Sequence, residues 1–118
     1  MDLNVFVDLE EVKAILRRHG TLFQEAYVFG SVANGTQDDS SDVDLLLIRE
    51  TASPFFDRIR EVMDLVWDLR RVDLLIYTPQ ERDALRGEPG RFFTKSVFEK
   101  GIRIEGSQSG SPSMAAAG

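Results

Sequence analysis

Two hydrophobic periods alternate along this chain, and the points where one gives way to the other divide it into elements. Leu9, Val12, Ile15 and Leu16 recur at helical spacing. They follow Asp8-Leu9-Glu10-Glu11, which has the form of a capping box with Asp8 at the N-cap and Glu11 at N3. The pattern predicts a first helix closed by Gly20, with His19 in the last turn, where a partly cationic side chain complements the helix dipole. A short apolar strand, Tyr27-Val28-Phe29, stops at Gly30-Ser31, and ten residues later Asp42-Val43-Asp44 opens a second apolar strand running from Leu45 to Ile48.

Beyond it, Ser53-Pro54 reads as the N-cap and first residue of a long helix. Phe55, Ile59, Val62, Val66 and Leu69 would form its core-facing stripe, widened by Phe56, Met63 and Trp67. Asp57, Arg58, Arg60, Glu61, Asp64 and Asp68 would form its solvated face. A strand from Val72 to Tyr77 follows, and its opening, Val72-Asp73-Leu74-Leu75, repeats Val43-Asp44-Leu45-Leu46. Thr78-Pro79-Gln80-Glu81 is a further capping box with proline at N1, starting a short helix that ends by Gly87. A helix from Pro89 or Gly90 to Lys100, with Phe92, Phe93, Val97 and Phe98 inward, leads through Gly101 to a short strand over Ile102–Ile104. Residues 1–105 then form one domain, and residues 106–118, rich in Gly, Ser and Ala without periodicity, read as a disordered tail.

Composition narrows the chemistry. The 118 residues, 42% hydrophobic, suit one core of moderate size. There is no Cys and a single His, so a metal here would be held mainly by oxygen ligands, which points to Mg²⁺ or Mn²⁺. A net charge of −6 argues against direct nucleic-acid binding without a local basic patch, while leaving small nucleotides screened by a metal. No apolar run approaches the roughly 20 residues that span a bilayer, and Met1-Asp2-Leu3-Asn4 lacks the basic start of a secretory signal, so the expected location is cytoplasmic.

The segment from Tyr27 to Ile48 carries the sharpest signal. Side chains two apart in a strand share a face about 6.6 Å apart, so Asp42 and Asp44 project together while Val43 points away. Two carboxylates at that separation repel by roughly 2.5 kcal/mol at an effective dielectric near 20. A cation between them explains the placement most simply, and paired carboxylates are the usual protein share of a Mg²⁺ site. Gly30-Ser31 offers the complementary half, a glycine that lets backbone approach a phosphate and N–H groups that favour an anion. Two familiar alternatives fail. Thr36-Gln37 stands where a P-loop needs Lys and Ser/Thr. The acidic stretch from Asp38 has Val43 where a calcium loop has Gly, and no Glu at the twelfth place. Asp73 joins Asp42 and Asp44 if its strand neighbours theirs; otherwise it marks where a strand emerges into solvent. Ser41 reads as a turn residue. Arg49, Arg58 and Arg71 are all close enough in sequence to steady a phosphate, and each reads equally as a surface charge.

Gly30-Ser31, ten residues, Asp42-Val43-Asp44, and Asp73 on a later strand resemble the signature of the minimal nucleotidyltransferase domains of the DNA polymerase beta superfamily. The resemblance implies an α/β (α+β) fold with a mixed sheet flanked by helices. It also implies a nucleoside triphosphate bound through a two-metal Mg²⁺ site, with Asp42 and Asp44 holding the metals and Gly30 and Ser31 cradling the β- and γ-phosphates. Asp73 would bind the second metal and help deprotonate the attacking hydroxyl. With no room in 118 residues for an acceptor-gripping domain, the acceptor is expected to be a partner protein. Chains of this kind resemble the antitoxin of two-component pairs, which transfers AMP from ATP to a hydroxyl of a HEPN ribonuclease toxin. The competing expectations are a non-catalytic antitoxin that neutralises its partner by covering it, and a nucleotidyltransferase acting on a small molecule; homo- and hetero-oligomers are both open.

Overall fold

The computed structural model describes residues 9–34, 42–87 and 95–108. Its centre is the strand β2 (Val43–Ile48), in which every residue except Asp44 is buried. Apolar side chains on both faces require cover on both sides, and β2 is accordingly an inner strand of a four-stranded sheet ordered β3-β2-β1-β4. β1 (Glu25–Phe29) runs antiparallel to β2 and to β4 (Ile102–Glu105), and β3 (Val72–Tyr77) runs parallel to β2, so the sheet is mixed.

Alternation divides the strand residues between two faces. Ala26, Val28, Val43, Leu45, Leu47, Ile76 and Ile104 meet Val12, Ile15 and Leu16 of α1 (Leu9–Arg18) and Val62, Leu65 and Leu69 in the main core. The opposite face holds a smaller cluster, in which Tyr27, Leu46 and Ile48 pack with Val97, Phe29, Leu75, Tyr77 and Phe98. Val97 and Phe98 belong to a single π-helical turn, Lys95–Glu99.

The expected helix after Ser53 forms with a different start. A 3₁₀ segment, Phe55–Val62, with Pro54 rather than Ser53 at the N-cap position and no side-chain cap, runs into α3 (Met63–Leu69). The buried row is Arg58, Val62, Leu65 and Leu69. Val62 and Leu69 face inward as expected, whereas Phe56 and Trp67 are 88% and 72% exposed and do not widen the stripe. Arg58, expected on the solvated face, is 7% exposed. Its burial is supported by the Ser53 and Ile76 carbonyls, which accept from it at 2.9 and 3.0 Å. The Glu81 carboxylate completes the set with a two-pronged pairing at 2.6 and 3.1 Å.

The capping box at Thr78 and Glu81 starts α4 (Pro79–Arg86) as the sequence indicates. α1 ends at Arg18, and His19 follows it, its backbone N–H still bonded to the Ile15 carbonyl as in the last turn and its Nε2 2.6 Å from Asp68 Oδ2, which ties α1 to α3. Gly106, Ser107 and Gln108, which the sequence reading places in the tail, donate backbone hydrogen bonds to Gln24, Gly20 and Phe23. The side-chain amide of Gln108 also brackets the backbone of Glu50, accepting at 2.8 Å and donating at 3.1 Å. Asp8, Ser41, the expected helix start at Pro89 or Gly90, Phe92 and Phe93, and residues 35–40 and 109–118 lie outside the described residues.

Candidate active site

The site residues are positioned by the ends of three strands. β1 ends at Phe29, which lies opposite Asp44 in the antiparallel ladder, and the chain turns at Gly30 into the short α2 (Gly30–Asn34). Gly30 has φ +74°, a conformation that side chains with a Cβ rarely adopt. A Cβ there would overlap Asp44 Oδ2 and lie 3.0 Å from Asp44 Cγ. Glycine thus allows the turn to lie directly against the carboxylate. Ser31 is the second residue of α2.

The parallel ladder between β2 and β3 pairs Val43 with Val72 and Asp44 with Asp73. Partners in register share a face, so Asp44 and Asp73 stand side by side on neighbouring strands, which are about 4.8 Å apart. Asp42 lies two residues before Asp44, beyond the start of β2, and is exposed. The condition set on Asp73 by the sequence is met, because its strand is the immediate neighbour of β2. One step before the first paired residues, Val43 N donates to the Arg71 carbonyl at 2.9 Å, and the Arg71 guanidinium lies 3.5 Å from Asp42 Oδ1. Asp42 faces Arg71 and Asp44 faces Asp73, so three carboxylates and one guanidinium occupy a two-by-two patch.

The electrostatics follow from this crowding. Burial raises the pKa of Asp44 above the usual carboxylate value, and the charges of Asp73 and then Asp42 push it further in the same direction. Deprotonated Asp44 is therefore held in an environment that favours a nearby cation. Among the described residues no group of three or more His, Asp or Glu side chains is gathered tightly enough to hold a metal ion by itself. The Asp44–Asp73 pair with Asp42 beside it suits hard divalent cations that complete their coordination with phosphate and water oxygens.

Of the three arginines left open by the sequence, two are committed to the fold. Arg49 donates to Glu61 at 3.0 Å and to the Leu22 carbonyl at 2.8 Å, and Arg58 is the buried residue described above. Arg71 is the one at the acidic patch, and its position two residues before Asp73 is the signal that strand alternation could have used. At the far end of the same face, Glu25 accepts from Tyr27 Oη at 2.8 Å and pairs with Arg82 and Arg103, each at 3.1 Å. Burial raises its pKa, but the bonds from Tyr27 and Arg103 and the charges of Arg82 and Arg103 outweigh this and leave it lowered. That network is neutralised internally, unlike the one at Asp44. No described helix is long and apolar enough to cross a membrane.

Comparison with known proteins gives the family of the chain. A 76-residue stretch is 34% identical to a Methanocaldococcus jannaschii protein named "Putative protein adenylyltransferase", covering 58% of this chain and 76% of that one. A crystal structure titled as that of a "putative nucleotidyltransferase" from Sulfolobus solfataricus shares 30% identity and covers 64% of this chain, with a TM-score of 0.42. This chain spans 65% of that relative's length. The family profile described as "Polymerase beta, Nucleotidyltransferase" matches residues 10–104, a span that includes Gly30, Ser31, Asp42, Asp44 and Asp73. The chain belongs to the polymerase beta nucleotidyltransferase family.

Proposed function

We propose that this chain transfers AMP from ATP to a hydroxyl of a partner protein, with Asp42, Asp44 and Asp73 as the metal-binding and catalytic carboxylates. The family supports nucleotidyl transfer, and the name of the Methanocaldococcus jannaschii relative supports a protein acceptor and an adenylyl group. The observation that carries the assignment to these residues is the register that sets Asp44 beside Asp73, with Gly30 against the Asp44 carboxylate.

In this reading Asp42 and Asp44 hold Mg²⁺, or Mn²⁺ in its place, and Asp73 completes a second position. Divalent ions bound there would screen the triphosphate, lower the pKa of the attacking hydroxyl and stabilise the leaving oxygen. Gly30 and Ser31 cradle the β- and γ-phosphates, the glycine by letting the backbone come close. Asp73 is exposed while Asp44 is half-buried, so an acceptor arriving from solvent reaches Asp73 more readily, and its carboxylate helps remove the hydroxyl proton. The acceptor oxygen then bonds to the α-phosphorus, the bond from that phosphorus to the bridging oxygen breaks, and pyrophosphate leaves. Arg71, paired with Asp42, is positioned to orient that carboxylate and to offer its charge to the phosphates.

As the acceptor we propose a HEPN ribonuclease toxin, the partner implied by the sequence resemblance, which makes the chain an antitoxin that inactivates by modification. The test is to purify the chain with its co-expressed neighbour, add ATP and Mg²⁺, and weigh both proteins. The expected result is a gain of one AMP on the partner that Asp44→Ala removes while the fold is retained. Neutralisation of the partner without any mass gain, and undiminished in Asp44→Ala, would contradict transfer and leave a covering antitoxin.

A further inference from the structure

Only Arg70 and Arg71 connect α3 to β3, and the backbone is held at each step. Arg70 N–H still donates to the Val66 carbonyl at 2.8 Å, Arg71 N–H turns back to the Leu69 carbonyl at 2.8 Å, and the Arg71 carbonyl accepts from Val43 N–H at 2.9 Å. The bond from Arg71 to Leu69 closes a three-residue turn around Arg70, whose φ of +70° and ψ of −75° are those of the rare, strained form of the γ-turn. Among the described residues Arg70 is the one non-glycine with a positive φ. Strain of this kind persists where the surrounding bonds over-determine it, and it gathers at functional sites. Here the turn delivers Arg71, whose guanidinium lies 3.5 Å from Asp42 Oδ1.

A guanidinium at that place limits what Asp42 can bind. With Asp42 as the metal ligand proposed above, on which this inference rests, Arg71 competes with a divalent ion that arrives alone. The ion must take the carboxylate and leave an unpaired guanidinium beside a second cation, where like charges repel. A triphosphate changes the balance, because its oxygens accept an arginine in the same two-pronged geometry as a carboxylate does. We propose that Arg71, set in place by the turn at Arg70, is the counter-ion of Asp42 before metal binds and passes to the triphosphate when ion and nucleotide arrive together. Each of the two ligands then tightens the binding of the other by the same factor. Both side chains are about half exposed, so the exchange needs no opening of the fold. Arg71 is thus a positioning residue, acting through Asp42 and on the phosphates.

Mn²⁺ titration of the full chain, read by electron paramagnetic resonance with and without a non-hydrolysable ATP analogue, tests this. In the wild type the analogue should tighten Mn²⁺ uptake beyond what the analogue holds by itself. Arg71→Met, which keeps an unbranched stem without the charge, should bind Mn²⁺ alone about two- to fivefold more tightly, the worth of an exposed ion pair. It should also lose most of the tightening by the analogue. Arg71→Lys, which keeps the charge, should fall between the two. Arg70→Met removes the same charge one residue away and should change neither quantity. Equal Mn²⁺ affinity in the wild type and Arg71→Met would overturn the proposal, as would analogue tightening undiminished in Arg71→Met. An Arg70→Met chain that changes as much as Arg71→Met would also overturn it, since charge at a distance would then suffice. Uptake that needs Asp44 but ignores Arg71 refutes this inference alone, whereas uptake unchanged in Asp44→Asn removes the proposed site and the inference with it.

Discussion

The two faces of the sheet are made from alternate residues of the same strands, and they do opposite things. On β2, Val43, Leu45 and Leu47 face α1 and α3 and are fully covered. Asp44, Leu46 and Ile48 face the other way, where the apolar cluster is smaller and ends with Phe29, the partner of Asp44 on β1. β3 repeats the division with Val72, Leu74 and Ile76 on one side and Asp73, Leu75 and Tyr77 on the other. One face is thus a core from end to end, while the second is a core at one end and a row of carboxylates at the other. A carboxylate can be held at the end of a buried strand because only one of the two faces must be dry, and register then delivers two of them side by side.

Substitutions that act differently on the two faces break or sharpen this contrast. The largest loss of stability is expected where the faces are clasped together. Arg58 reaches from the helix on the core face to Glu81 of α4, and Glu81 sits below the usual carboxylate range because of the Arg58 hydrogen bond. Arg58→Ala leaves the Ser53 and Ile76 carbonyls without their donor, at about 1–3 kcal/mol for each buried group in urea denaturation, and removes the packed side-chain stem, while the half-exposed Glu81 is rehydrated. The lowered pKa of Glu81 adds a pH signature. This contribution is present above its ordinary value of 4.5 and is lost as pH falls through the lower folded value, so Arg58→Ala should flatten the acid limb of the stability curve.

Next in size is Leu45→Ala, which opens a cavity in the covered face and should cost about 2–5 kcal/mol. Gly30→Ala comes third. It combines a positive φ with an overlap on Asp44, so about 1–3 kcal/mol of strain is expected, together with a displaced carboxylate and reduced AMP transfer. The smallest effect has the opposite sign. Asp44 has a raised pKa in the fold, so its ionisation disfavours folding; the penalty is absent well below pH 3.8 and fully present above the raised folded value. Asp44→Asn should therefore raise Tm modestly at pH 7, with the gain fading on acidification, while abolishing transfer.

Most of the local structure was legible because local rules determine it. Alternation assigned Asp42, Asp44 and Val43 to their sides, glycine chemistry located the turn at Gly30, and the Thr78–Glu81 box formed as written. Misreadings occurred where the deciding partner is distant. Arg58 looked like surface until its partner Glu81, 23 residues later, came into range. Phe56 and Trp67 fit a stripe counted from Phe55, but the buried row starts from Arg58, where a guanidinium satisfied by two carbonyls takes an inward place. Arg71 could not be separated from Arg49 and Arg58 by sequence proximity alone; a parallel register opposite Asp42 was needed. Residues 106–108 lack periodicity because they add no face to the sheet, yet their backbone N–H groups and the Gln108 amide are hydrogen-bonded to the domain.

The central claim is that Asp44 and its neighbours hold divalent cations together with a nucleotide, and Mn²⁺ electron paramagnetic resonance reads this without relying on turnover. Titrating Mn²⁺ into the chain with a non-hydrolysable ATP analogue should show saturable loss of the free-ion signal beyond that of the analogue alone. That loss should be abolished in Asp44→Asn and weakened in Asp73→Asn. Equal uptake by the wild type and Asp44→Asn would contradict the account.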